Sequence, residues 1–263
     1  MPLAAESLGV RSMATFIRAG DVNILVDPGC ALAMRFSLRP HEEEYLSLTE
    51  ARERILQASA KADVVIISHY HLDHYTPYYR DLQWIQSSPE YARKLYQGKV
   101  LLVKDLEHLP PVQRKRGYFL QKQSREVCKE IQVADGQRFK WGKTEIEFSE
   151  PLPHGFSAQP LVLGVRVKSP RLRLAFIPDF QGASSDVVRL ILRWKPDLLI
   201  TGGPPLYLSG FRIGKEEIST AMENFLKLAA RIPRMVIDHH LFRSEEGLDF
   251  LNKISREAKK FGH

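Results

Sequence analysis

His69-Tyr70-His71-Leu72-Asp73-His74 places three imidazoles and a carboxylate within one short stretch, directly after the apolar run Val64-Val65-Ile66-Ile67. In extended backbone, alternate residues share a face. His69, His71 and Asp73 therefore point one way, and a turn lets His74 join them. Imidazole nitrogen with carboxylate oxygen is a donor set for zinc, iron or manganese. Only nine histidines occur in 263 residues, so three at this spacing mark a metal motif rather than a solvated loop that happens to be rich in histidine.

Three further positions share one context, since each follows a stretch that reads as a strand. His154 lies in Pro151-Leu152-Pro153-His154-Gly155, Asp179 in Ile177-Pro178-Asp179-Phe180, and the pair His239-His240 after Arg234-Met235-Val236-Ile237. A single His or Asp after a strand is most often a cap or turn residue. The order His-x-His-x-Asp-His, then His, then Asp, then His is far more specific, and ligands at the ends of several strands are held rigidly by the sheets behind them. If residues 234–239 stay extended, His239 and His240 face opposite ways and only one can reach a metal.

The elements that must position these residues alternate along the chain. Asn23–Val26 reads as a strand closed by Asp27-Pro28-Gly29. Residues 43–61 read as a helix, with Leu48, Ala51, Ile55 and Ala58 or Ala60 at three-to-four spacing. Strands follow at 63–67 and 99–103, and residues 131–148 look like antiparallel strands. In the second half, 161–168 and 171–177 alternate in strand fashion around Ser169-Pro170, and 197–200 and 234–237 read as buried strands. Helices are marked by Val187, Leu190, Ile191 and Trp194, by Ile218, Met222, Phe225 and Leu228, and by Leu248, Leu251, Ile254 and Ala258. Strands in both halves with helices between them suggest two sheets packed face to face, with helices on the outer faces.

Composition narrows the setting. Apolar content of 44% and charged content of 26% suit a globular protein with a substantial core. No apolar run approaches the roughly 20 residues that span a bilayer, and no secretory leader is expected at the start. Two cysteines, Cys30 and Cys128, exclude a disulfide framework and fit a reducing cytoplasm. Neither lies near the histidines in sequence, so sulfur ligation is not expected. A net charge of +7 and a pI near 9.4 favour anionic partners: phosphate-bearing metabolites, nucleic acid or an anionic membrane surface, of which the first two are expected and a membrane is not. The run Arg114-Lys115-Arg116-Gly117-Tyr118-Phe119 reads as a solvated loop, with single-stranded nucleic acid as the other option. Gly202-Gly203-Pro204-Pro205 reads as a tight loop before Tyr207.

The His69–His74 motif, with the segments 7–12, Val26-Asp27-Pro28-Gly29, Ser68–His71 and Asp238-His239-His240-Leu241, resembles the metallo-β-lactamase superfamily over nearly the whole chain, and looks like an archaeal branch of it. The resemblance implies one metallo-β-lactamase-like domain over residues 1–263, a four-layer αββα sandwich of two mixed β-sheets flanked by helices. It implies two divalent metal ions, zinc first, with manganese or iron as the other options. His69, His71 and His154 would hold one, and Asp73, His74 and His240 the other, with His239 as the alternate to His240. Asp179 would bridge them, and Asp27 would orient a ligand histidine. His240 is preferred because His240-Leu241-Phe242-Arg243 resembles the strand-end His and nearby Arg of nuclease-like members.

A binuclear site of this kind makes hydroxide available at neutral pH. The expected activity is a metal-dependent hydrolase acting on a phosphodiester, with RNA among the candidates, through Asp73, Asp179 and His240. The alternatives are ester, thioester or lactone hydrolysis, or iron-dependent redox chemistry. The spare histidine, Tyr207 or a water are candidates to protonate the leaving group. Arg212, Lys215 and Arg243 are candidate anion contacts, with surface solvation the more ordinary role.

Overall fold

Strands and helices alternate through the first half of the chain as β1 (Thr15–Arg18), β2 (Asn23–Val26), α1 (Glu42–Ser59), β3 (Val64–Ile67), α2 (Pro89–Tyr96), β4 (Val100–Val103), α3 (Pro111–Ser124) and β5 (Glu130–Val133). The second half adds β6 (Arg138–Trp141), β7 (Thr144–Phe148), β8 (Leu152–His154), β9 (Ser157–Val162), β10 (Val165–Lys168), β11 (Arg173–Ile177), α4 (Ser185–Trp194), β12 (Leu198–Gly202), α5 (Lys215–Ala229), β13 (Met235–Asp238) and α6 (Glu246–Lys259). The computed structural model describes residues 1–260, gathered into one compact unit over Met1–Gln137 and a second from Arg138 onward.

The first unit is built on a five-stranded sheet ordered β1-β2-β3-β4-β5. Only the β1–β2 pair is antiparallel; the remaining pairs are parallel. β3 has no polar residue on either face and is buried throughout, the pattern of a parallel strand covered on both sides. Val26 pairs with Ile66, and Ile67 with Val103. The residues following β2, β3 and β4 thus leave one edge of the sheet together, and Asp27 and His69 come from neighbouring strand ends. α1 starts at a capping box in which His41 accepts from the Glu43 amide and Glu44 reaches back to the His41 amide. It buries Leu48, Ala51 and Ile55, the expected stripe.

The second unit carries a six-stranded sheet ordered β13-β12-β11-β10-β7-β6 and a small β8–β9 ribbon. β11, β12 and β13 run parallel, and the rest of the large sheet is antiparallel. Ile177 pairs with Thr201, and Gly202 with Asp238, so Asp179 and His239 leave the same edge of the sheet from β11 and β13, the strands on either side of β12. α4, α5 and α6 supply Val187, Ile191, Trp194, Phe225, Leu228, Phe250 and Ile254 to a core that includes Ile177, Leu199 and Ile237.

Three expectations fail here. Residues 130–133 are not part of an antiparallel run: β5 extends the first sheet in parallel, and only β6–β7 form a hairpin. Residues 161–168 are not one strand, since β9 ends at Val162 and β10 starts at Val165. The basic run 114–116 lies on α3 rather than in a loop. α3 escapes periodicity because its buried stripe is Gln113, Gly117, Leu120 and Ser124. The spacing is helical, but three of those four residues are polar or lack a side chain.

Candidate metal centre

In the first unit the motif is organised by a carboxylate outside it. Asp27 follows β2 with φ 47°, a left-handed conformation that Asp tolerates better than most residues. Its side chain is fully buried. Oδ1 accepts the Ser68 amide at 2.8 Å, while Oδ2 accepts the Ser68 hydroxyl at 2.6 Å and His74 Nδ1–H at 2.8 Å. A buried carboxylate only accepts, so the His74 proton belongs on Nδ1 and its Nε2 keeps the lone pair.

A second tautomer follows through Ser68. Its hydroxyl hydrogen is committed to Asp27, so its oxygen accepts from His69 Nδ1–H at 3.1 Å. That leaves the lone pair of His69 on Nε2, which stands 2.9 Å from His71 Nδ1. One proton or one small cation can bridge two ring nitrogens at that distance. The ligand-capable atoms of Asp27, His69 and His74 lie within 4.8 Å of one another, and the rings of His69 and His74 are 4.1 Å apart between centroids. Asp73 occupies the turn closed by the His74 amide on the His71 carbonyl at 3.0 Å, and is half-buried.

The motif backbone is braced from α3, which sequence reasoning missed. Buried Gln113 accepts the Tyr70 amide at 3.0 Å, and Arg116 donates to the Tyr70 carbonyl at 3.4 Å. Gln121 donates to the Tyr70 hydroxyl at 3.0 Å, and that hydroxyl donates to the Lys104 carbonyl. Gly117 is required because a Cβ there would lie 2.6 Å from the Tyr70 ring. Tyr70, flanked by two histidines, is thereby fixed at amide, carbonyl and ring. Behind it, the buried Lys104 ammonium is paired with Asp135, which also accepts the Asp105 amide at 2.7 Å.

In the second unit the organiser is Asp179, again fully buried and again at φ 47°. Its Oδ1 lies 2.8 Å from His240 Nε2 and 3.3 Å from His239 Nε2, and its Oδ2 lies 3.5 Å from His154 Nε2. The extended course expected through residue 239 does not hold. β13 stops at Asp238, and His239 and His240 take φ of 32° and 45°. This reversal brings both rings onto the same carboxylate oxygen, with centroids 4.3 Å apart. Burial, then the nearby Arg243 and His239, hold His240 well below the usual imidazole range against the opposing pull of Asp179, so its ring stays neutral, as ligation requires. His240 Nδ1 is buried and without a hydrogen-bond partner among the described residues, a donor atom that a cation would satisfy. Arg243 is not simply solvated: it donates to the Tyr207 hydroxyl at 3.0 Å and lies over that ring.

Both donor sets suit a divalent cation: imidazole nitrogens next to buried carboxylates. Neither Cys30 nor Cys128 belongs to a donor cluster among the described residues. Among the described residues no helix is long and apolar enough to cross a membrane.

Residues 22–239 match the family profile described as "Beta-lactamase superfamily domain". The chain is 40% identical over 266 residues to the UPF0282 protein of Thermococcus sibiricus, covering 99% of this chain and 87% of that one. It is 41% identical over 263 residues to the UPF0282 protein of Methanopyrus kandleri, covering 98% and 89%. Among solved structures it is similar to the metallo-beta-lactamase fold protein YhfI from Bacillus subtilis (TM-score 0.55, 16% identity, 95% and 86% coverage). It is also similar to CmlA, a diiron beta-hydroxylase from Streptomyces venezuelae (TM-score 0.57, 12% identity, 95% and 50% coverage), and to Zn(2+)-bound PqqB from Methylobacterium extorquens (TM-score 0.51, 11% identity, 91% and 82% coverage). At these identities the structures establish a common fold.

Proposed function

The chain belongs to the beta-lactamase superfamily and to its UPF0282 group, and on that footing we propose that it is a metal-dependent hydrolase acting on a phosphodiester. Following the superfamily's order of ligands, His69, His71 and His154 would hold one divalent cation and Asp73, His74 and His240 the other, with Asp179 serving both and His239 the alternate to His240. The single observation that carries the reading is the pair of buried carboxylates, each within hydrogen-bond distance of an imidazole nitrogen. When bound, a pair of divalent cations lowers the pKa of water and stabilises charge developing on the attacked oxygen.

The chain's own residues supply the rest. Asp27 holds the Nδ1 proton of His74 directly and that of His69 through Ser68. Gln113 and Arg116 hold the backbone between His69 and His71. Asp179 keeps the strand-end histidines oriented through its two oxygens. Tyr207, whose oxygen accepts from Arg243, is left with its own hydrogen to donate to a leaving oxygen. The charge of +7 favours an anionic substrate, which supports a phosphodiester over a neutral ester.

The test is turnover of a bis-aryl phosphodiester, an aryl ester, a thioester and a short RNA with zinc, manganese or iron, together with metal analysis of protein purified without added salts. Phosphodiester cleavage that falls steeply in Asp73→Asn, with the fold retained, supports the reading. Cleavage of the ester or thioester alone, or one iron per chain with no hydrolysis, replaces it.

A further inference from the structure

Directly after His74 the chain runs Tyr75-Thr76-Pro77-Tyr78-Tyr79, three aromatic residues within five. α3 presents Val112, Lys115, Arg116, Phe119, Leu120 and Gln123 at the spacing of one helical face. These two segments line a cleft of about 530 Å³ within the first unit, inside the roughly 300–1,000 Å³ range of small-molecule sites. The cleft contains aromatic and aliphatic side chains, two cations and no carboxylate. Val112, Phe119 and Tyr79 are each about half exposed or more (60%, 47% and 48%), although the other stripe of α3 is buried. Grouped exposed apolar side chains of this kind mark a binding surface more often than chance.

Arg116 belongs to both the cleft and the histidine motif: it lines the former and donates to the carbonyl of Tyr70, between His69 and His71. Lys115 and Arg116 are the cations of that lining, and Tyr75, Tyr78, Tyr79 and Phe119 its aromatic wall. An occupant must therefore satisfy a planar apolar lining and neutralise two cations. We propose that this cleft binds a small anion carried on an aromatic body, seating the ring among Tyr75, Tyr78, Tyr79 and Phe119 and the negative group against Lys115 and Arg116. Its service as a substrate subsite rests on the hydrolase reading; its binding of the anion does not.

The probe is 2-naphthalenesulfonate, which has no hydrolysable bond and whose sulfonate is a poor ligand for metals. It is titrated by calorimetry into the full chain as purified, beside methanesulfonate and the neutral 2-naphthamide. One site per chain is expected, with both controls weaker by about tenfold or more. Phe119→Ser and Lys115→Glu, both on the surface of α3, should each weaken binding about tenfold while leaving the melting temperature unchanged. No saturable binding, or equal binding by parent and both variants, overturns the proposal. Sensitivity of a short RNA, or of self-association, to these substitutions without binding of the sulfonate overturns it in favour of that occupant. If the sulfonate binds as expected while every substrate in the turnover screen fails, the hydrolase reading falls and the cleft stands as a ligand site.

Discussion

Asp27→Asn isolates what the buried carboxylate does for the metal motif. The amide is nearly isosteric, and Asn accepts the φ of 47° as readily as Asp, so the backbone contributes little to the effect. The Ser68 amide can only donate, so the new carbonyl must stay on it; the opposite flip sets two donors together and costs about 1–3 kcal/mol. The new NH2 then faces Ser68 Oγ and His74 Nδ1, which stand 2.6 and 2.8 Å from Oδ2 in the parent. Ser68 can rotate to accept, and its hydrogen then turns toward His69 Nδ1, 3.1 Å away. His74 must present a lone pair at Nδ1. Both imidazoles thus move their protons to Nε2, the atom from which each would ligate. Loss of such an orienting partner typically lowers metal affinity about tenfold to 100-fold, or about 1.4–2.7 kcal/mol at 1.36 kcal/mol per decade. Chelator competition with zinc measures this directly, and nitrogen-15 shifts of the imidazoles report the tautomers. An affinity within about threefold of the parent, or His74 still protonated at Nδ1, would refute the tautomer argument.

Other substitutions probe other parts of the same scaffold. Asp179→Ala should abolish turnover and reduce tightly held metal from two ions per chain to one, counted by mass spectrometry of the dialysed protein; parent-rate hydrolysis would remove Asp179 from the centre. Gly29→Ala places a Cβ 2.6 Å from the His74 amide nitrogen, so it should cost about 1–3 kcal/mol in urea unfolding and also weaken zinc, whereas loss of stability alone would mean that the His74 peptide does not yield. Asp135→Ala leaves the Lys104 ammonium buried and uncompensated and should cost about 3–5 kcal/mol, while Lys104→Met with Asp135→Leu should recover most of that in the same assay.

The legible parts of this chain were those carried by apolar periodicity or by histidine spacing. β3, α1, α4, α5 and α6 announce themselves through buried stripes of Val, Ile, Leu and Phe. Sequence spacing also singles out the motif histidines, His154 and Asp179; His69 and Asp179 follow β3 and β11, whereas His154 closes the short strand β8. The brace on Tyr70 was not legible, since Gln113 and Gly117 carry no hydrophobic signal and meet Tyr70 only across a tertiary contact. Ser68 was passed over for a similar reason: its relay depends on Asp27, 41 positions away. The orientation of the two adjacent histidines is not legible either, because β13 stops at Asp238. Alternation applies only while φ stays extended, and two consecutive left-handed residues cancel it.

Asp27 and Asp179 share more than burial. Each follows a strand that pairs in parallel with the next, each has φ of 47°, and each accepts or faces several ring or amide nitrogens: those after the neighbouring β3 for Asp27, and those after β13, one strand further on, for Asp179. A left-handed residue at that point turns the chain away from the strand direction, so the side chain stays over the sheet edge while the backbone moves off it. The position asks for a residue that tolerates positive φ, is short enough not to overshoot the edge, and carries an acceptor-only head. Gly and Asn meet the first demand, and Glu meets the last, but Asp meets all three. Rigid sheet edges and a strand-end aspartate together are therefore sufficient to fix imidazole tautomers before any cation arrives. On the proposed metal reading, ligands ordered in this way would spend little binding energy on being arranged.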